Sequence, residues 1–290
     1  MIDHIYINGR FHTAKKAKIP VNDRGFMYGD GVFETMRSHG GRVFMLHHHL
    51  ERLFHSLREL RYTPGFDGGE VEDAVYRTMA KSSLSNRDAY IKVMVTRGEH
   101  GGDLGFTPGG RCSLVIMVKK LEPYPEWYYS RGVEVISSSI KRIALGYQLY
   151  RHKLMNYFEN IYEKDRAGSR GAFESLFLTR DRLVLEGATT NIFAVKRSTV
   201  FTPPLTQNIL PGITRKTVLQ LCRTNRIKVW EKSIHYRDLI DAHEVFLTNS
   251  IAGIVPVRKI DAYGLSTEIP GSTTSRLTGL YRREIEKSQS

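Results

Sequence analysis

Val184-Leu185-Glu186-Gly187-Ala188-Thr189-Thr190-Asn191 and, further along, Leu210-Pro211-Gly212-Ile213-Thr214-Arg215 are the stretches that decide how this chain is read. The first reads as a strand that ends on a carboxylate and turns through glycine and small polar residues, a tight turn open to a ligand. The second reads as a turn dipeptide, Pro211-Gly212, with Thr214 placed to cap a helix whose apolar face is Val218, Leu221 and Cys222. Amides and the helix dipole at such a start suit a phosphate. Taken singly, each has an ordinary explanation, because most capped helices bind nothing and acids are common in turns.

Working outward, the pattern alternates between strand and helix periods. Residues 2–13 alternate and turn at Asn8-Gly9, which predicts a hairpin. Leu46, Leu50, Leu53, Phe54, Leu57 and Leu60 have helical spacing over 46–61. Residues 89–96 and 112–118 are β-rich and flank a glycine-rich loop, Arg97-Gly98-Glu99-His100-Gly101-Gly102-Asp103-Leu104-Gly105. Strands are predicted over 133–141 and near 173–178, 182–186 and 191–195, with helices over about 154–167 and from Thr214 to about Asn225. Leu121-Glu122-Pro123-Tyr124-Pro125 breaks regular structure. The expected organisation is therefore an α/β domain over 1–121, a linker over 122–132 and a larger α/β domain over 133–290.

Composition narrows the class. The chain has 290 residues, 41% apolar and 25% charged, which is ordinary for a folded protein of about two domains and excludes a disordered or collagen-like chain. Lys plus Arg number 43 against 30 Asp plus Glu, a net +13, which could serve nucleic acid, an anionic ligand or solubility alone. No dense Lys/Arg run or aromatic RNA motif accompanies it, so no nucleic-acid partner is expected. The two cysteines, Cys112 and Cys222, lie far apart and outside any CxxC, so neither a zinc site nor a disulfide framework is predicted. No secretory signal and no run of membrane-span length are visible, and a cytoplasmic protein is expected.

Lys153, in Tyr150-Arg151-His152-Lys153-Leu154, sits where a predicted strand hands over to a helix with Leu154, Tyr157, Phe158, Ile161 and Tyr162 on its apolar side. Arg151 and His152 would lower its pKa if they point the same way, favouring a nucleophilic amine. A solvated basic cluster explains it equally well when it stands alone. His47, His48 and His49 are consecutive, so on a helix they cannot ligate one metal, and no metal is expected. There is no GKS, GKT or GxSxG, so neither a triphosphate loop nor a hydrolase elbow is supported.

Together these segments resemble, in order and over nearly the whole chain, the fold-type IV pyridoxal 5′-phosphate (PLP) enzymes, or class IV aminotransferases. The segment Asp23 to Thr35 resembles the family's amino-terminal signature, and His49-Leu50-Glu51-Arg52-Leu53 the segment with its phosphate-binding arginine. Lys153-Leu154-Met155-Asn156-Tyr157 resembles the Schiff-base segment. The two opening stretches resemble its most specific motifs, and Thr248-Asn249-Ser250 its last phosphate-contacting turn. The resemblance implies a small α/β domain plus a larger pseudo-barrel α/β domain, PLP as cofactor, and a homodimer with active sites at the subunit interface. It makes Lys153 the nucleophile and general base and Glu186 the acid that keeps the cofactor ring protonated. Arg52, Gly212, Ile213, Thr214, Asn249 and Ser250 would hold the phosphate, and Tyr157 the phenolic oxygen.

Three activities share that scaffold: branched-chain L-amino acid transamination, D-amino acid transamination and aminodeoxychorismate lysis. The loop after Thr96-Arg97-Gly98 lacks the Arg-x-His of well-known D-amino acid enzymes, Phe33 replaces their tyrosine, and the lyases' arginine near Asp103 is absent. The Gly-Asp-Leu-Gly pattern at 102–105 resembles many branched-chain enzymes. On that resemblance Tyr90 and the turn amides near Ser250, Ile251 and Ala252 hold the substrate carboxylate, and Phe33, Tyr28 and Val255 line an apolar pocket, with Thr189 nearby. Lys92 stands where an arginine often receives the glutamate side chain, and lacks its bidentate fork. Thr35 replaces a more usual glycine, and Arg37 or Arg97 could anchor a carboxylate instead. Amino acid and 2-oxo acid substrates follow, with 2-oxoglutarate as acceptor.

Overall fold

The Asn8-Gly9 turn closes the predicted hairpin between β1 (His4–Ile7) and β2 (Arg10–Thr13), with both turn residues at positive φ, as a tight two-residue connection requires. The computed structural model describes residues 2–99, 104–105, 111–144, 146, 148–265 and 268–289. His100, Gly101, Gly102 and Asp103 of the glycine-rich loop lie outside the described residues. The chain divides into two units. The first is Met1–Glu122 with His152–Tyr157 and Lys287–Ser290, and the second is Pro123–Arg151 with Phe158–Glu286.

In the first unit, α1 (Arg24–Tyr28), β3 (Gly31–His39), β4 (Arg42–Val43), α2 (Leu46–Glu59), α3 (Gly68–Lys81), β5 (Ala89–Thr96) and β6 (Ser113–Lys120) follow the hairpin. Among the described residues the sheet has six strands in the order β2-β1-β6-β5-β3-β4, all antiparallel. Side chains alternate across it. Val32, Met36, Ile91, Val93, Ile116 and Val118 form one core with Leu50, Leu53 and Leu57 of α2 and Val71, Val75 and Met79 of α3. Sequence reading omitted α3, although Asp67 and Glu70 make a full capping box at its start. The opposite face of β3 and β5 carries Phe33, Thr35, Arg37, Tyr90, Lys92 and Met94 in register.

The predicted helix over 154–167 begins later, at Phe158. Phe33 N donates to the Lys153 carbonyl (2.9 Å), Met155 N to the Gly31 carbonyl (2.8 Å), and Val32 bridges Leu154. These bonds hold 153–155 extended beside β3, so a tertiary edge overrides the local helical period. That also counts the Lys153 segment with the first unit rather than with the larger domain.

The second unit contains α4 (Trp127–Ser130), β7 (Val133–Lys141), α5 (Phe158–Ser169), β8 (Glu174–Leu178), β9 (Leu183–Gly187), β10 (Asn191–Lys196), β11 (Thr199–Thr202), α6 (Ile213–Thr224), β12 (Val229–Glu231), β13 (Ile234–His235), α7 (Tyr236–Ile240), β14 (Glu244–Asn249), β15 (Gly253–Ile260), β16 (Tyr263–Gly264) and α8 (Ser272–Gln289). Its described strands form one curled sheet, β12-β11-β10-β14-β15-β7-β8-β9-β13, with β16 on β15. Pairing is mixed: β7 runs parallel to β8 and β15, while β10, β14 and β15 are antiparallel. The fold class is thus mixed α/β with a half-barrel sheet in the larger part. The expected linker is not free chain. Tyr128 of α4 packs edge-on against Phe173, and Tyr129 donates to the Ala252 carbonyl (3.1 Å).

Candidate active site

The first unit brings an amine to the open face of its sheet. Lys153 Nζ lies 4.5 Å from the Phe33 ring centroid and 5.4 Å from that of Tyr157, and those two rings meet edge-to-face at 5.3 Å. Tyr157 therefore neighbours Lys153 without the helical turn expected between them. Lys92 Nζ sits 4.7 Å from the same Phe33 centroid, and burial lowers its pKa. Two ammonium groups thus flank one phenyl ring, and the face is apolar at its centre and cationic at its edges. His152 meets Ser56 instead (Nδ1 to Oγ, 3.0 Å).

Behind that face, Glu34 has the parity of Val32 and Met36 and is 1% exposed under α2. Arg52 grips it side-on, Nε to Oε1 at 2.8 Å and Nη2 to Oε2 at 2.7 Å, while His49 Nδ1 lies 2.7 Å from Oε2. Burial alone would raise the Glu34 carboxyl. The Arg52 charge and the His49 bond outweigh it and hold the pKa at about 2. Burial lowers His49, so it is a neutral donor to the carboxylate. His47 and His48 pair with Glu51 at the surface, and the histidine triplet splits as helical geometry demands.

Two of the expected carboxylate anchors are engaged elsewhere. Arg97 is buried, donates to Asp30 (3.0 Å) and to the Arg61 and Leu60 carbonyls (2.9 and 3.1 Å), and stacks on Tyr62 at 3.9 Å. It ties β5 to the end of α2. Arg37 donates to Asp88 (3.0 Å). Tyr28 is exposed, with the Arg24 guanidinium 5.4 Å from its ring centroid, and Tyr90 lies under Lys119.

In the second unit the two opening motifs are stitched to each other. Leu210 N donates to Glu186 Oε2 (3.0 Å), and Asn191 Nδ2 donates to the Leu210 carbonyl (3.0 Å) and more weakly to Glu186 (3.4 Å). The other Glu186 oxygen faces Arg142 Nη1 at 3.4 Å. Arg142 lies against the Phe177 ring at 3.4 Å and is held by Glu159 and Asn160. Glu174 accepts from Thr189 N and Oγ1 (3.0 and 2.6 Å) and shapes the turn after Glu186. Arg142, Asn191, Glu174 and Glu34 were missed in the sequence. Of these only Glu34 carried a signal, an acid at an apolar parity of a strand.

The helix cap is Gly212, not Thr214, which lies buried within the first turn. Gly212 makes no side-chain cap bond, and among the described residues the Ile213 and Thr214 amides have no hydrogen-bond partner. A Cβ on Gly212 would stand 2.0 Å from Asn191 Oδ1, so only glycine fits there. Thr190 Oγ1, just before β10, and Thr248 Oγ1, on the β14 residue that pairs with Asn191, are buried without partners. Open amides, orphaned hydroxyls and a fixed carboxylate suit an anionic, nitrogen-bearing ring such as PLP. Two expectations change. The Ile251 and Ala252 amides point to Asn249 Oδ1 (3.0 and 2.7 Å), so Asn249 closes its own turn and those amides are already engaged. Val255 is fully buried in the core. Among the described residues no group of three His, Cys, Asp or Glu could hold a metal, and no helix is long and apolar enough to cross a membrane.

Known proteins match this chain nearly from end to end. The model of amino-transferase class IV matches residues 31–260. A Methanocaldococcus jannaschii protein provisionally named a branched-chain-amino-acid aminotransferase is 37% identical over 94% of this chain and 93% of its own. The D-alanine aminotransferase of Bacillus licheniformis is 31% identical over 97% and 96%. A branched-chain amino acid aminotransferase from the archaeon Thermoproteus uzoniensis, solved with norvaline, superposes with a TM-score of 0.90 at 29% identity over 99% and 96% of the two chains. Another branched-chain amino acid aminotransferase, solved with N-(5′-phosphopyridoxyl)-L-glutamate, superposes with the same TM-score of 0.90 at 25% identity over 99% and 95%. The chain therefore belongs to the class IV aminotransferases, the PLP-dependent transaminases of this fold.

Proposed function

We propose that the protein moves an amino group between a branched-chain or other hydrophobic L-amino acid and a 2-oxo acid such as 2-oxoglutarate, with Lys153 as the catalytic amine. The observation that carries this reading is the placement of Lys153 Nζ beside the Phe33 and Tyr157 rings, with Lys92 Nζ near the same phenyl ring. An apolar surface next to the amine suits a hydrocarbon side chain, and Lys92 suits the distal carboxylate of a dicarboxylic partner. The structural relative carrying a phosphopyridoxyl-glutamate supports the same pairing of substrates.

PLP, when bound, supplies an aldehyde that Lys153 can hold and a ring that accepts electrons from the substrate Cα. Lys153 Nζ then takes and returns the Cα proton. Glu186 would favour the proton at the ring nitrogen, and its orientation is set by Leu210 N, Asn191 and Arg142. Arg52, the Ile213 and Thr214 amides and Ser250 would hold its phosphate, Gly212 would let the chain turn in close, and Tyr157 would hold its phenolic oxygen. Tyr28, Tyr90 and Thr189 would border the substrate.

The partner proposed is a second copy of this chain. Phe158, Ile161 and Tyr162 are 73%, 60% and 50% exposed at helical spacing on α5, an apolar stripe that water alone would cover at a cost. Cys112 and Cys222 are free and buried, which suits a reducing cytosol. The deciding experiment mixes purified protein with L-isoleucine, L-glutamate, D-alanine and aminodeoxychorismate in parallel and follows loss of the PLP absorption. L-Isoleucine and L-glutamate should convert the cofactor, and Lys153→Ala should not. Conversion by D-alanine alone, or pyruvate released from aminodeoxychorismate alone, would replace the substrate assignment. Colourless protein that takes up no added PLP would overturn the whole reading.

A further inference from the structure

We propose that Glu34, braced by His49, is the positioning residue for Arg52, fixing the place and plane of its guanidinium for recognition of a phosphate monoester. The inference rests on the reading above, in which Arg52 takes the cofactor phosphate.

A carboxylate at this position needs a reason. Glu34 lies among Val32, Met36, Leu50 and Leu53, where an apolar side chain of similar size would serve packing at least as well. Burying a charge is costly unless every oxygen is bonded, and here both are: Oε1 by Arg52 Nε, Oε2 by Arg52 Nη2 and His49 Nδ1. The bonds are all 2.7–2.8 Å, the short range of charge-assisted pairs. Two parallel bonds to one planar edge fix both the position and the in-plane rotation of the guanidinium, which one bond would not do. His49 and Arg52 are three residues apart on α2, so both reach down from the same helix face onto one residue of β3. The helix thus cannot roll or slide without breaking the fork.

The arrangement also sets what Arg52 recognises. With Glu34 ionised, the pair is near neutral overall. Attraction for an anion then comes from directed N–H groups rather than from loose net charge, which favours a phosphate at one place over any carboxylate nearby.

The test compares PLP with pyridoxal, which has the same aldehyde and ring but no phosphate. Apoprotein is titrated with each and the dissociation constants are read from fluorescence quenching. The wild type should prefer PLP. In Glu34→Gln, which keeps the shape and loses the charge, that preference should fall about tenfold or more, the loss of one charge-assisted hydrogen bond. Pyridoxal affinity should stay nearly constant, and Glu34→Asp should recover part of the preference. Equal weakening for both aldehydes, or an unchanged preference, would overturn the positioning role. If Glu34→Gln is not recovered folded by circular dichroism, His49→Gln should show a smaller loss in the same direction, and an unchanged ratio there overturns the proposal too. A wild type that binds neither aldehyde removes the cofactor reading itself, whereas a normal wild type with an unaffected variant removes only the role of Glu34.

Discussion

Replacing Gly212 with alanine isolates a single steric contact. The residue has φ −63° and ψ 137°, a backbone that alanine adopts freely, so no strain enters from the main chain. The added Cβ would sit 2.0 Å from Asn191 Oδ1 and 3.2 Å from its Cγ. The amide must swing away, and it is not a loose end: it donates to the Leu210 carbonyl and reaches Glu186. About 1 kcal/mol is lost for each of those bonds, and overpacking adds about 1–3 kcal/mol. A total of about 3–5 kcal/mol lowers the melting temperature by about 6–20 °C for a unit of this size. Scanning calorimetry on four proteins checks it: wild type, Gly212→Ala, Asn191→Ala and the double variant. With the Asn191 amide gone there is nothing to strike, so Gly212→Ala should cost under about 1 kcal/mol in that background. An equal cost in both backgrounds, or a single variant melting within about 2 °C of wild type, would refute the steric argument.

Other outcomes follow from the same geometry. Glu186→Gln should retain PLP while transamination falls by about two orders of magnitude or more, read by single-turnover absorbance, since a neutral amide does not favour a protonated ring nitrogen. Lys92→Ala should raise KM for 2-oxoglutarate well above any change for a 2-oxo monoacid, because the only group removed is an ammonium beside Phe33; steady-state kinetics with both acceptors checks it. Acid should destabilise the fold in two windows. Burial, helped by Arg37 and opposed by Asp88, lowers His39 to about 4, so the unfolded chain binds its proton first and stability falls as pH drops from about 6.5 to 4. Glu34 and Glu163, each held at about 2 by partners that outweigh burial, lose their contribution below that, from about 4.5 toward 2. Urea midpoints across this range should show His39→Asn flattening only the upper window.

The residues themselves determined the class of fold and the chemistry on offer. Alternation over 2–13, the apolar spacing of α2 and the Glu186 and Gly212 motifs are local patterns with local causes: pleat, helical period and turn stereochemistry. Whatever depends on parts of the chain far apart in sequence was decided only by the tertiary structure. Hydrogen bonds from β3 keep Lys153 extended where its own period reads as helix. Asn249 closes its turn onto the Ile251 and Ala252 amides, and Arg97 turns toward Asp30 and the end of α2. Arg142 reaches Glu186 from just past the end of β7, and Glu34 is joined to Arg52 and His49 by the packing of a helix on a sheet. A hydrogen bond is a short-range, directional contact. A one-dimensional pattern reveals that a donor or acceptor is present, but its partner is chosen only when folding brings the two within about 3 Å.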